Sequence, residues 1–118
     1  MDHNPVQTSK QLLDLSKKER LFEQLVAQVL KDFSRAGAVL HISKDMGGEE
    51  VKNAVQKKIG HLYSEQYDTY LSVMYIIDLS ERELAQLPNE REGFVAEAVT
   101  FLILKREFQK VMLKARYN

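Results

Sequence analysis

The chain has 118 residues, 44% hydrophobic and 29% charged, with 17 basic residues, 17 acidic residues and no cysteine. That length supports one domain with a workable core, and the zero net charge offers no general attraction to nucleic acid or to a membrane surface. The lack of cysteine excludes disulfides and thiolate metal sites and fits a reducing cytoplasm, and no apolar run approaches the roughly 20 residues a membrane span needs.

The N-terminus carries no basic patch followed by an apolar run, so no signal peptide is expected. Residues 1–15 read as an N-terminal arm with at most a short turn of helix at Leu12–Leu15. Residues 16–118 read as a single helical domain. Three Ser/Asn-x-x-Glu boxes punctuate it, at Ser16 to Glu19, Ser80 to Glu83 and Asn89 to Glu92. In such a box a side-chain oxygen takes an orphan amide and the Glu reaches back, which marks a helix start.

The first long helix is therefore expected over Lys17–Ala36, stopped by Gly37. Leu21, Phe22, Leu25, Val26, Val29, Leu30 and Phe33 share one half of its wheel, with Glu23, Gln24, Gln28, Lys31 and Arg35 mostly opposite. This is the pattern of an amphipathic helix with one dry face. Residues 38–43 are short and β-branched, leaving room for one extended segment. Lys44–Gly48 reads as a loop in which two glycines loosen the backbone.

A second helix begins near Glu49, with Val51, Val55, Ile59 and Leu62 at helical steps. A third carries Tyr67, Tyr70, Leu71, Met74 and Ile77. The sequence leaves open whether 49–62 and 65–79 are one bent helix or two. Leu79 and Leu84 flank the Ser80 cap as a hydrophobic staple, predicting a short helix over Glu81–Leu87 that Pro88 stops.

The last helix is expected over Glu90–Tyr117. Its apolar positions cover roughly 240° of the wheel, against a narrow polar strip of Thr100, Glu107, Lys110 and Lys114, whereas a surface helix needs little more than 100°. Such a helix must be nearly enclosed, by its own bundle or by a subunit contact. Glu97 and Lys105 fall inside the apolar arc, where a charge is expected to snorkel or to find a partner on a neighbouring helix. The overall expectation is an all-α bundle of four to five helices with long first and last members packed antiparallel.

Charge is unevenly spread. Residues 60–97 hold eight acids and two bases, whereas 98–118 hold five bases and one acid. Basic residues suit the last turns of a C-terminal helix, and the two regions could also meet within or between chains.

Few residues suggest chemistry. His61, Glu65 and Asp68 would share a face of a continuous helix and could touch a divalent metal, but a catalytic zinc wants three protein ligands and no second His is placed to help. A solvated polar edge is the preferred reading. The five glycines form no phosphate-binding pattern and no serine sits in a nucleophile elbow. No catalytic residue and no cofactor is assigned.

Three functional readings follow, in order. The first is a non-enzymatic interaction or assembly module, a homodimer or partner of another protein, whose contact uses Tyr63, Tyr67, Tyr70 and Met74 or Phe94, Phe101, Phe108 and Met112 of the last helix. The second, disfavoured by the zero net charge, is a nucleic-acid-associated protein using Lys105, Arg106, Lys110, Lys114 and Arg116. The third is an enzyme or metal-binding protein with a site near His61.

Overall fold

A computed structural model describes residues 6–87 and 92–117, with side chains along the last helix described from 96 onward. Six helices lie in this range: α1 (Ser9–Lys18), α2 (Phe22–Arg35), α3 (Gly48–Glu65), α4 (Tyr67–Ile77), α5 (Glu81–Ala85) and α6 (Glu92–Arg116). The chain is an all-α bundle, with one helix more than the upper expected count. Residues 38–43 run between α2 and α3 without helix, and no strand occurs among the described residues.

The extra helix arises at the N-terminal end. The box at Ser16 does not open a helix. Ser16 lies in the last turns of α1, where its buried hydroxyl donates to the Leu13 carbonyl at 2.7 Å. The working cap is Thr8, whose Oγ1 accepts from the Gln11 amide at 3.1 Å while Gln11 Oε1 accepts from the Thr8 amide at 3.1 Å. Glutamine at the third position performs the reciprocal half as well as glutamate. The expected boundary between arm and domain thus falls inside α1, whose Leu12 and Leu13 are buried in the common core. The expected helix over Lys17–Ala36 is interrupted at Arg20, and α2 begins only at Phe22.

Three helices end by the same device. At Arg20, Gly37 and Asp78 the backbone turns through the left-handed region, with φ of 62°, 85° and 68°. In each case the next amide reaches back five residues, from Leu21 to Ser16, Ala38 to Phe33 and Leu79 to Met74. This geometry satisfies carbonyls that helix ends otherwise leave open, and glycine adopts it at least cost. Gly37 is legible as a stop from sequence; Arg20 and Asp78 carry a Cβ into a region that costs a side chain about 1–2 kcal/mol. Arg20→Gly is therefore expected to raise stability by about 0.5–1 kcal/mol, after allowing for glycine's greater freedom in the unfolded chain. Urea unfolding followed by circular dichroism would read this, and a fall in midpoint would count against the assignment.

Gly48 serves packing rather than looseness. It is the first residue of α3, and a Cβ there would meet Leu13 Cβ of α1 at 3.2 Å, so the missing side chain lets α1 and α3 approach. Ahead of it, Glu50 Oε1 accepts from the Gly47 amide at 2.9 Å. The break between α3 and α4 settles the open question in favour of two helices. It falls at Gln66, with φ −142° and ψ 64°, and not at Gly60, which lies within α3. The break sets Tyr63 of α3 edge-on against Tyr67 and Tyr70 of α4, with ring centroids 5.6 and 5.2 Å away. At the next junction Ser80 Oγ accepts from the Arg82 and Glu83 amides, so the expected cap forms. The Glu83 carboxylate pairs with Lys105 instead of reaching back, and the short helix ends at Ala85, not Leu87. Leu79 and Leu84 both pack in the core. The Asn89 box and Pro88 lie outside the described residues.

The centre of the bundle is α6. It packs most extensively on α3 and also against α1, α2 and α4. Val99, Ile103 and Leu104 of α6 are completely buried, as are Leu25, Val29 and Phe33 of α2 and Val55, Ile59 and Leu62 of α3. Pairs from Lys110 to Asp32 and from Lys114 to Gln28 step in opposite directions, so α2 and α6 run antiparallel as expected.

Candidate functional site

The polar strip of α6 faces inward. Thr100 and Glu107 are both 0% exposed, although the sequence pattern points this strip toward solvent. Thr100 is satisfied within its own helix, its hydroxyl donating to the Ala96 carbonyl at 2.7 Å. Glu107 faces α2, where Asp32 is 1% exposed and Gln28 is also buried. Lys110 Nζ donates to Asp32 Oδ2 at 2.8 Å and lies 3.0 Å from Glu107 Oε1. Gln28 Nε2 donates to Asp32 Oδ2 at 3.1 Å, and Lys114 Nζ donates to Gln28 Oε1 at 3.1 Å. Arg35 approaches the other Asp32 oxygen at 4.0 Å from the surface. Two polar strips, one on α2 and one on α6, thus close on one another.

The two carboxyls behave oppositely. Burial opposes ionisation of Asp32, but hydrogen bonds from Glu107, Lys110 and Gln28 outweigh it and hold its carboxyl below the ordinary value. Burial pushes the Glu107 carboxyl up to about 8, and its hydrogen bond to Asp32 adds to the effect. As a carboxylate, Glu107 has no donor among the described residues in suitable geometry for either oxygen, since Lys110 is close but poorly directed. As a neutral acid it can donate to Asp32, which matches the opposite directions of the two shifts. One proton and one ammonium therefore serve two carboxyls, as expected when two acids share a dry site. Shifted carboxyls can mark catalysis. Here both are buried, and with Lys110 and Gln28 they join α2 to α6 as a polar clasp.

The basic residues of α6 mostly face partners in their own chain. Lys105 pairs with Glu83 at 3.5 Å and Arg106 with Asp78 at 3.2 Å, while Lys110 and Lys114 belong to the clasp. The acidic and basic regions of the sequence thus meet within the chain. Of the five bases, Arg116 alone has no such contact among the described residues. Lys105 has the partner on a neighbouring helix expected of it, and Glu97 is exposed.

His61, Glu65 and Asp68 are all exposed. The break at Gln66 places Asp68 on a different helix from the other two, removing the single-helix spacing that would have aligned them. Among the described residues no group of three or more His, Asp or Glu side chains is placed to hold a metal ion. A shallow depression of about 370 Å³ borders His61, Lys57, Gln56 and Asn53. The perturbed carboxyls do not line it.

The residues expected at an interface divide. Tyr70, Met74 and Phe108 are buried in the core and are unavailable to another molecule. Burial, with the rings of Tyr67 and Tyr63 beside it, pushes the Tyr70 phenol up to about 12. Tyr63 and Phe101 are partly buried, Met112 is exposed, and the Phe94 side chain lies outside the described residues. From Ala96 to Val111 the apolar arc of α6 is thus largely wrapped by its own chain, leaving Met112 and Leu113 uncovered at its end.

Exposed apolar surface gathers in two places, on α4 and at the C-terminal end of α6, where Met112, Leu113 and the following Tyr117 are exposed. Tyr67, Leu71 and Tyr75 are 51%, 46% and 83% exposed and fall four residues apart, hence on one face. The opposite face, Tyr70, Val73, Met74 and Ile77, is buried. Sequence reasoning misses Leu71 and Tyr75 as surface residues, and it misses Asp32 altogether. The available signal is that α4 is apolar on nearly every side, which exceeds what a helix packed on one side can hide.

No helix among the described residues is long and apolar enough to cross a membrane. Comparison with protein-family models, with curated proteins and with solved structures finds no match to this chain. Fold and site together define a small all-α bundle with a buried ionic clasp between α2 and α6 and exposed apolar residues on the outer face of α4 and at the end of α6.

Proposed function

We propose that this protein is a non-enzymatic assembly module that works as a homodimer, with the outer face of α4 as its contact surface. The observation that carries this is the stripe Tyr67, Leu71 and Tyr75, three large side chains held outward at helical spacing while the other face of α4 is locked in the core. Single exposed apolar residues are ordinary, but a continuous file of them on a rigid helix is the form in which helices recognise one another. Tyrosine adds a large contact area at low entropic cost and keeps a hydroxyl for the rim. A cysteine-free chain suits the cytoplasm, where this role is placed.

The contact is small. A helix of eleven residues offers about 16 Å of length, so the dimer belongs with transient interfaces and forms at micromolar concentrations. Sedimentation velocity at roughly 100 μM is expected to show a dimer that dissociates on dilution. Leu71→Glu is expected to abolish it without lowering the thermal midpoint, because Leu71 lies outside the core. A wild-type chain that remains monomeric, or a variant that still dimerises, would sink the proposal.

A further inference from the structure

We propose that the C-terminal end of α6 is a latch gated by the Glu107 proton. When the proton leaves, water enters between α2 and α6 and the helix lifts from Val111 onward. The latch is independent of how the chain assembles. Glu107 is 0% exposed, and neither of its carboxyl oxygens has a hydrogen-bond donor in suitable geometry among the described residues. Asp32 faces it from α2, and the single ammonium of Lys110 lies 2.8 Å from Asp32 and 3.0 Å from Glu107. Arg35 reaches only the other oxygen of Asp32, and Lys114 is taken by Gln28. Among the described residues no ionisable group of α1, α3 or α4 acts on Glu107. A second negative charge here would face one ammonium already directed at Asp32, and a buried charge without donors is costly until water reaches it.

The packing supplies a route for that water. A cleft of about 330 Å³ runs between Gln24, Ala27 and Gln28 of α2 and Val111, Lys114 and Ala115 of α6. Gln28 and Lys114 wall this cleft and also form the outermost bond of the clasp at 3.1 Å, with Asp32 bonded directly behind Gln28. Beyond this point α6 is held by little. Val111 is its last buried residue, and residues 112–117 are all exposed. Breaking the bond from Lys114 to Gln28 and uncovering Val111 opens a path to Glu107, while Val99, Ile103 and Leu104 stay in the core. A segment with few buried contacts opens at less cost than the whole fold. Burial pushes the Glu107 carboxyl up to about 8, so the latch is closed in acid and opens as pH rises through that value.

The absence of cysteine makes a direct test available, because any introduced thiol is the sole one in the chain. Val111→Cys places it under the latch, and Leu113→Cys, at an exposed position, reports the reactivity of a free thiol at each pH. The ratio of their iodoacetamide labelling rates is expected to rise roughly tenfold per pH unit between about pH 6 and 8, the slope of one released proton. In a Glu107→Gln background the ratio should stay flat. Low concentrations of urea should leave it unchanged, because lifting the end of one helix exposes little surface. A ratio that does not change with pH, or that rises equally in the Glu107→Gln background, overturns the latch. A ratio that climbs with urea as steeply as labelling of Val55→Cys, buried in α3, shows opening of the whole fold and overturns it as well. Should Val111→Cys fail to fold, amide hydrogen exchange at residues 111–114 of the unaltered chain, corrected for its intrinsic pH dependence, is compared with the Glu107→Gln chain by the same criteria.

Discussion

Glu107→Gln is expected to stabilise the protein at pH 8 and above and to flatten its dependence on pH. Glu107 has an ordinary value of 4.5 and a folded value of about 8, so between these limits the folded chain holds a proton that the unfolded chain has released. The stability this proton contributes is complete below 4.5 and is lost as pH rises through 8. Across that window a bound proton contributes about 1.4 kcal/mol for every tenfold fall in proton activity, which makes the loss at most on the order of 3–5 kcal/mol. Glutamine keeps the shape and the donor toward Asp32 but has no proton to lose. Wild type and variant should therefore differ little near pH 5 and separate as the solution turns alkaline. Asp32 acts in the other direction at the acid end. Its value is held below 3.8, so the stability it contributes is present above that pH and fades as pH falls through the lowered value. Wild type should be most stable in mildly acidic solution, near pH 4–5, as chemical unfolding across a pH series would show. Equal slopes for wild type and Glu107→Gln between pH 6 and 9 would mean that Glu107 is ionised or hydrated.

Lys110→Met should be among the most damaging single changes outside the apolar core. Among the described residues its ammonium is the only cation within 3.0 Å of both buried carboxyls, and its removal leaves the Asp32 charge between α2 and α6 opposed only by Arg35, 4.0 Å away at the surface. Breaking one side of a buried ion pair typically costs about 3–5 kcal/mol, here a fall in thermal midpoint of roughly 10–20 °C. Methionine preserves most of the stem volume, so the loss reports on charge rather than on packing. The deficit should shrink at low pH, where Asp32 can take up a proton. A deficit that does not change with pH would point to packing instead, and a loss below about 1 kcal/mol would show that water already reaches the clasp. Combining Lys110→Met with Glu107→Gln should be strongly non-additive, because the two residues share Asp32.

Neither carboxyl is legible in the sequence as a buried group, although both polar strips are. Gln28 falls on the wet side of its helical wheel, and Glu107, Lys110 and Lys114 form the polar strip of α6. Each strip alone is what a solvated face looks like. The circumference of α6 holds the hint. A helix apolar around most of its circumference is central to the bundle, and a central helix has no wet side to offer its polar residues. Their need for partners then falls on whichever neighbour carries a matching strip, and that neighbour is set by chain topology. The same distinction governs α4, where periodicity shows apolar residues all round without showing which of them the bundle will cover.

The residues themselves determined the all-α class, Gly37 and Ser80 as punctuation, the dry face of α2 and the enclosure of α6, because capping and amphipathic spacing act within a few turns of one helix. Only the tertiary arrangement decided that α1 is a helix of the core, that α3 and α4 part at Gln66, that the polar strip of α6 turns inward and that Tyr67, Leu71 and Tyr75 stay outside. Burial is a property of pairs of surfaces: a single helix displays its stripes, but its neighbours decide which of them meets water.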